Sequence, residues 1–289
     1  MVIEPVAYQK KLAGKSNAHL ITFNDGNDYV VKFFQPGFEK TLPNEWIGYC
    51  LARYLQMPVP YGVIVDIPKD FLDKVQEERM RQGSAEVPDF SQISEFPYQF
   101  ATLYVPDCVD GHEVAELSGL TNYESLASII LFDYWVGNQD RTRKNILFQA
   151  KPKDTGEGCG QENPQELNNI HEYYHLWAID HAEILGGFNW QLADLEGLSN
   201  GLVKSTAHKI MASFIENEGE FYKQLEVIQT IPILLMEEIV ALIPEEWGVS
   251  KEERKAIVTT LLYRRHKVLP KLLPRFVRKI YQPIKAEKN

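Results

Sequence analysis

Asp140 and Asn145 are the residues of this sequence whose types and spacing most directly indicate chemistry. They lie in a polar loop that follows an apolar run ending at Gly137 and precedes the apolar residues 146–148. In phosphoryl transfer, a carboxylate accepts the proton of the attacking hydroxyl, and an amide oxygen a few residues later holds a metal ion that neutralises phosphate charge. The same residue types are common in turns, so a capped turn between a helix and a strand is the alternative interpretation.

The elements on either side are predicted to hold this loop rigid. Residues 126–136 are apolar nearly all round, which is typical of a buried helix. Residues 146–148 predict the start of a strand. Anchoring at both ends suits this chemistry, because phosphoryl transfer depends mainly on positioning and on preorganised charge.

A lysine within an apolar strand is the first candidate partner of the loop. Residues 19–23 and 28–34 flank the turn-forming residues 24–27 and predict a β-hairpin. Strand alternation places Lys32 on the face opposite to Val31. Lysine is disfavoured inside an apolar strand unless it has a partner. Lys32 therefore either protects the edge of a sheet or reaches the phosphates of a nucleotide.

A helix after this hairpin contains the second candidate partner. Asn44 is predicted to cap the helix at its start, and Pro58 and Pro60 end it. Glu45 would then lie in the first turn, where the helix dipole favours an acid. Alternatively, Glu45 orients Lys32, as the helix glutamate orients the strand lysine in kinases.

Two further segments contain candidate ligands for a nucleotide and a metal ion. The loop of residues 13–17, with Gly14 and Ser16, either brings backbone N–H groups close to phosphates or is an ordinary turn. It lacks the glycine and lysine spacing of a P-loop. Residues 176–180 predict a strand that ends in Asp180, either a metal ligand of the kind that phosphoryl-transfer enzymes use or a turn residue.

Charge and cysteine usage limit the classes of function. The net charge of −10 argues against general nucleic-acid binding. From Arg264 to the end, however, there are nine Lys and Arg residues and one acid, which form either a solvated tail or a patch for an acidic partner. The cysteines are three in number and far apart, which predicts a cytoplasmic protein in a reducing compartment. The first residues of the sequence form no apolar run, so we expect no signal segment there. Residues 227–242 are too charged and too short to be expected to span a membrane.

The order of the predicted elements indicates an α+β protein with two lobes. Residues 1–105 alternate between strand patterns and one helix, which predicts a small lobe built on an antiparallel sheet. Residues 106–289 contain the Asp140 loop, the Asp180 strand and several apolar helical patterns. They predict a larger, mainly helical lobe that contains the catalytic and metal-binding loops.

These residues together resemble the HipA-like kinases, which are relatives of the protein and phosphoinositide kinases. The resemblance covers roughly residues 10–190, and its most specific part is the segment Asn-x-Asp-Arg-x-x-x-Asn-Ile-Leu from Asn138 onward. It implies a two-lobed, protein-kinase-like fold that uses ATP and Mg²⁺. By this resemblance Lys32 binds phosphates, Asp140 is the catalytic base, and Asn145 and Asp180 hold the metal.

The resemblance also implies the reaction, which is transfer of the γ-phosphate to a hydroxyl acceptor, here expected to be a serine or threonine of a protein. Members of the family phosphorylate serine on proteins, and some act as toxins. This sequence departs from the family pattern at Thr142, where histidine is frequent, and after Asp180, where His181 and Ala182 replace Phe-Gly. An insert at residues 151–170 separates the two metal-ligand segments. The acceptor and the rate therefore stay open.

Two alternative functions remain at this stage. A pseudokinase would bind nucleotide with little turnover. A zinc metallopeptidase would use His171, Glu172 and His175, which match His-Glu-x-x-His. That chemistry needs both histidines on one face of a helix, but a loop-like segment precedes them and a strand pattern follows.

Overall fold

The structure is a computed structural model that describes residues 3–14, 16–83, 88, 90, 97–113, 119–151 and 173–288. The strands are β1 (Pro5–Lys11), β2 (Ala18–Phe23), β3 (Asp28–Lys32), β4 (Gly62–Asp66), β5 (Tyr98–Leu103), β6 (Cys108–Asp110), β7 (Gly119–Leu120), β8 (Ile146–Lys151) and β9 (Tyr173–Ala178). The helices are α1 (Thr41–Tyr54), α2 (Lys69–Arg81), α3 (Leu126–Val136), α4 (Leu192–Glu196), α5 (Thr206–Phe214), α6 (Gly219–Thr230), α7 (Ile233–Ala241), α8 (Lys251–Tyr263), α9 (Leu269–Phe276) and α10 (Gln282–Lys288). The protein is thus a mixed α+β fold.

The first sheet contains β1 to β5 in the order β1-β2-β3-β5-β4, and every neighbouring pair is antiparallel. The predicted hairpin is present as β2 and β3. Tyr29 and Val31 are buried in a small apolar core, whereas Val30 and Lys32 line a cleft on the other side of the sheet. The alternation of β3 therefore directs Lys32 away from the core and toward the cleft.

Helix α1 begins earlier than the sequence predicts, and the predicted cap at Asn44 is wrong. The helix starts at Thr41, and Asn44 lies inside it with its side chain completely buried. Pro43 is compatible with this earlier start, because the N–H groups of a first turn lack intrahelical partners anyway. Glu45 consequently lies beyond the first turn, so the predicted role at the helix dipole does not apply.

The second sheet positions the two loops with candidate metal ligands. Its strand order is β6-β8-β9-β7. Antiparallel β8 and β9 pair so that Ile146 lies opposite Ala178. Asn145 and Ile179, the neighbours of this residue pair, are therefore adjacent, and Ile179 N donates to Asn145 O at 3.1 Å. The buried helix α3, as predicted, leads the chain into the Asp140 loop.

The C-terminal helices form the rest of the core and use part of the basic segment. Arg264 is buried and donates from Nε to Trp135 O at 2.7 Å. Arg265 is also buried and donates to Ile231 O. These two cations therefore stabilise the packing of helices and do not belong to an exposed patch, whereas Lys267, Lys271 and Arg275 are exposed. Within the described ranges, no helix is long and apolar enough to cross a bilayer.

Candidate active site

A cleft of about 580 Å³ lies between the first sheet, helix α1 and the loops of the second sheet. This volume is typical of sites for small molecules and cofactors. The cleft is lined by all the residues that the sequence predicts to act there: Gly14, Ser16, Lys32, Glu45, Asp140, Asn145 and Asp180. Gly14, in the loop between β1 and β2, has a φ of 130°, which residues with side chains rarely adopt.

Lys32 connects two carboxylates at the back of the cleft. Its Nζ donates to Glu45 Oε1 and, at 2.9 Å, to Asp180 Oδ1. Burial lowers the pKa of Lys32, but Asp180 and Glu45 outweigh it, so the pKa lies above its ordinary value. Burial raises the pKa of Glu45, but Lys32 and His181 lower it by more than burial raises it. The pKa of Glu45 therefore lies well below its usual range. A lysine ammonium has three donors, so one remains for an anion in the cleft.

Asp140 and Asn145 are joined by direct hydrogen bonds. Asn145 Nδ2 donates to Asp140 Oδ2 at 3.0 Å and to Asp140 O at 2.5 Å. Asp140 N in turn donates to Asn138 Oδ1 at 3.0 Å. These contacts occupy the amide nitrogen of Asn145 and leave its oxygen as an acceptor. The loop thus presents one carboxylate and one amide oxygen to the cleft.

Asp180 follows β9 and lies on a tight turn. Its φ is 63°, and its Oδ1 also accepts from Ala182 N at 3.2 Å. Within the described part of the chain, no hydrogen bond engages Asp180 Oδ2 or Asn145 Oδ1. Such oxygen atoms suit Mg²⁺, which is usually held by one or two carboxylates together with substrate phosphates and water. The described residues contain no cluster of three or more His, Cys, Asp or Glu suited to a metal.

Arg141 connects the loop that contains Asn145 with the segment that contains Asp180, a role that the sequence did not reveal. Its side chain is fully buried, and its Nε donates to Asp133 Oδ2 at 3.0 Å. Its Nη1 donates to Asn145 O at 3.0 Å and to Ile179 O at 2.5 Å. One guanidinium thus binds the main chain of both candidate metal-ligand segments. A lone aspartate within an apolar helix was the signal that could have revealed this contact.

Asp133 accepts the hydrogen bonds that hold Arg141 in this position. In addition to Arg141, it accepts hydrogen bonds from Asn138 Nδ2 and from His208 Nε2, both at 2.9 Å. Burial raises the pKa of Asp133, but Arg141 and His208 lower it more strongly, and it falls to about 2. The carboxylate is therefore ionised at neutral pH although it is completely buried.

The low pKa of Asp133 predicts an acid-dependent loss of stability. Its contribution to the free energy of unfolding is fully present above the unfolded-state pKa of about 3.9. It is lost as the pH falls toward the folded-state value of about 2. We expect Asp133→Asn to destabilise the protein at neutral pH by about 3–5 kcal/mol, because it removes one partner of a buried ion pair.

Urea unfolding at several pH values measures this effect. The variant should show a shallower decrease in stability than the wild type between about pH 4 and about pH 2. Asp73→Asn, on the exposed face of α2, serves as the control and should follow the wild type. Identical pH profiles for wild type and Asp133→Asn would contradict the assignment.

His175, the part of the zinc motif that the structure describes, does not lie on a helix. His175 lies in strand β9, and its ring contacts Trp177 at a centroid distance of 4.7 Å. His171 and Glu172 lie outside the described residues, as do residues 152–170 of the predicted insert. In a helix, residues four apart lie one above the other on the same face about one turn apart, whereas in a strand they are separated by the length of four extended residues. The motif therefore lacks the helix at His175 that the zinc chemistry requires.

Comparisons with known proteins identify the family. The chain is similar to the Helicobacter pylori proinflammatory kinase CtkA, with 12% identity, a TM-score of 0.56 and coverage of 94% of this chain and 96% of that one. It is also similar to the Golgi casein kinase with Mn/ADP bound, with 13% identity, a TM-score of 0.51 and coverage of 96% and 74%. A comparison with curated proteins found no match. The sequence model described as HipA-like kinase matches residues 5–155, more than half of the chain. The protein therefore belongs to the HipA-like kinase family.

Proposed function

We propose that this protein is a kinase that uses ATP and Mg²⁺ or Mn²⁺ to phosphorylate a hydroxyl group, namely serine or threonine of a protein. The observation that carries the proposal is the convergence of Lys32, Asp140, Asn145 and Asp180 on one cleft. Mn/ADP in the structure of the Golgi casein kinase supports the use of a nucleotide and a divalent cation. The family resemblance supports a protein acceptor.

We propose that a nucleotide places its base and its phosphates against different residues of the cleft. Its apolar lining suits a planar base and includes Ala18, Val30, Phe100 and Leu147. The phosphates would face the remaining donor of Lys32. Asn145 and Asp180 would hold the divalent cation, which supplies positive charge to the phosphate oxygens. We propose residues 1–105 and 106–289 as the two lobes that enclose this cleft.

Asp140 is assigned as the base in the transfer step. Its carboxylate accepts the proton of the acceptor hydroxyl, whose oxygen forms a bond to the γ-phosphorus while the bond from that phosphorus to ADP breaks. Asn145 and the Asn138 side chain hold Asp140 in place through the hydrogen bonds described above. Positioning of this kind supplies most of the catalysis in phosphoryl transfer.

A cytoplasmic location is proposed with this function. The thiols of Cys50 and Cys108 are both free. Burial raises the pKa of Cys50 to about 12, which keeps that thiol protonated and unreactive at neutral pH. Free thiols of this kind are typical of proteins in reducing compartments.

Thermal unfolding with nucleotide and metal tests the proposal directly. Saturating ATP with Mg²⁺ should raise the melting temperature, because a ligand at 100 times its Kd stabilises the folded state by about 2.7 kcal/mol. EDTA should abolish most of the shift, and a zinc-selective chelator should leave it unchanged. No shift at millimolar ATP would contradict the proposal. Incubation with labelled ATP and cell lysate, followed by mass spectrometry, then identifies the acceptor and distinguishes a kinase from a pseudokinase.

A further inference from the structure

Asn44 makes an unusual set of hydrogen bonds inside helix α1. Its Nδ2 donates to Ala182 O at 2.7 Å, to Ile184 O at 3.1 Å and to Gly187 O at 2.9 Å. Its Oδ1 accepts from Trp190 Nε1 at 2.9 Å. An amide nitrogen has two hydrogens, so the three carbonyls share them. The side chain is completely buried. Its Nδ2 binds one segment of the chain, and its Oδ1 binds Trp190 just beyond that segment.

That segment, residues 180–187, begins at the candidate metal ligand and has a constrained backbone. Asp180 has a φ of 63° and Leu185 a φ of 58°, both in the left-handed region. Gly186 and Gly187 also have positive φ values. Residues with side chains occupy this region at a cost and stay there only when the surrounding contacts require it. Asn44 supplies such contacts at three points of the segment.

Helix α1 also binds the beginning of the segment of residues 180–187. Glu45, the next residue after Asn44, accepts a hydrogen bond from His181 N at 3.1 Å. The helix also packs closely there, because a Cβ atom at Gly48 would lie 2.5 Å from His181 Cβ. Two consecutive side chains of α1 therefore bind both the start and the end of the segment that follows Asp180.

We infer that Asn44 is a positioning residue for the metal ligand Asp180, an inference that rests on the proposed function. By binding the carbonyls of Ala182, Ile184 and Gly187, Asn44 holds the turn at Asp180 in the conformation in which Asp180 lines the cleft. Groups that orient metal ligands in this way typically contribute about 10- to 100-fold to metal affinity. Asn44 thus acts on the metal site through the backbone and touches neither nucleotide nor metal.

Asn44→Ala tests this inference in the full-length protein. Mn²⁺ is titrated at saturating ADP, and binding is followed by calorimetry. The Mn²⁺ concentration at half-saturation should rise by about 10- to 100-fold. In addition, the amides of residues 181–187 should exchange faster with deuterium in the metal-free variant. Trp190→Phe removes the donor to Asn44 Oδ1 and keeps an aromatic ring at this position. It should produce a smaller change in the same direction, and it provides the test in a folded protein if Asn44→Ala does not fold.

Asn122→Ala is the matched control for loss of a buried asparagine. Asn122 is buried, donates to Leu176 O at 2.9 Å and accepts from Leu176 N at 3.1 Å, away from residues 180–187. This variant should lower the melting temperature and leave the Mn²⁺ half-saturation unchanged. Equal half-saturation in wild type, Asn44→Ala and Trp190→Phe would overturn the inference. Absence of Mn²⁺-dependent ADP binding by the wild type would contradict the proposed function instead.

Discussion

Asp140→Asn is expected to lower turnover by about 10²- to 10⁴-fold, the range that general-base assistance typically contributes. Asparagine has nearly the size of aspartate, and its oxygen can still accept the hydrogen bond that Asn145 Nδ2 donates to Asp140 at 3.0 Å. The loop should therefore keep its conformation. Only the group that accepts the proton of the acceptor hydroxyl is lost.

Nucleotide affinity should remain close to that of the wild type in this variant. Lys32 donates to Glu45 and Asp180 rather than to Asp140, so the substitution leaves the hydrogen bonds of Lys32 in place. Initial rates and isothermal titration with ATP and Mg²⁺ measure the two effects separately. Asp73→Asn again provides an exposed aspartate control. Wild-type turnover in Asp140→Asn would rule out the catalytic assignment of the loop.

Asp180→Asn is expected to reduce metal-dependent nucleotide binding and turnover together. The change removes the negative charge from one proposed metal ligand. Loss of a group that merely orients a metal ligand costs roughly 10- to 100-fold, so metal-dependent binding and turnover should each fall by at least that factor. The backbone conformation should survive, because asparagine tolerates a φ of 63° about as well as aspartate does. Lys32 also keeps its ion pair with Glu45 in the variant.

The contrast between these variants gives the sharper test. Binding of ATP should depend on Mg²⁺ concentration in Asp140→Asn as in the wild type, whereas Asp180→Asn should need much more Mg²⁺ or fail to bind. The melting temperature without ligand should change little in either protein. Equal losses of binding in both variants would contradict the separate roles of base and metal ligand.

The sequence determined several elements because their signals are local. The period of two in β3 placed Val31 in the core and Lys32 in the cleft. The unbroken apolar run predicted the buried helix α3, and its end at Gly137, with a φ of 73°, located the start of the Asp140 loop. The seven candidate residues could be named for the same reason, since each lies at a recognisable position within one strand, helix or loop.

Local patterns predicted the wrong role where the partner of a residue is distant in the chain. Asn44 fits the pattern of a helix cap, but its partners are carbonyls of residues 182–187. A proline in the first helical turn allowed α1 to begin before it. The basic C-terminal segment likewise contains Arg264 and Arg265, whose guanidinium groups donate hydrogen bonds to buried carbonyl groups.

What only the tertiary structure decided is how the separate segments meet. Asn145 and Asp180 are far apart in sequence, and the pairing of Ile146 with Ala178 in β8 and β9 brings their segments together. Arg141 then joins these segments because Asp133, on a buried helix, holds its guanidinium beneath both of them. A buried charge requires partners, but the sequence does not specify which ones, because strand register and helix packing arise only when the whole chain folds.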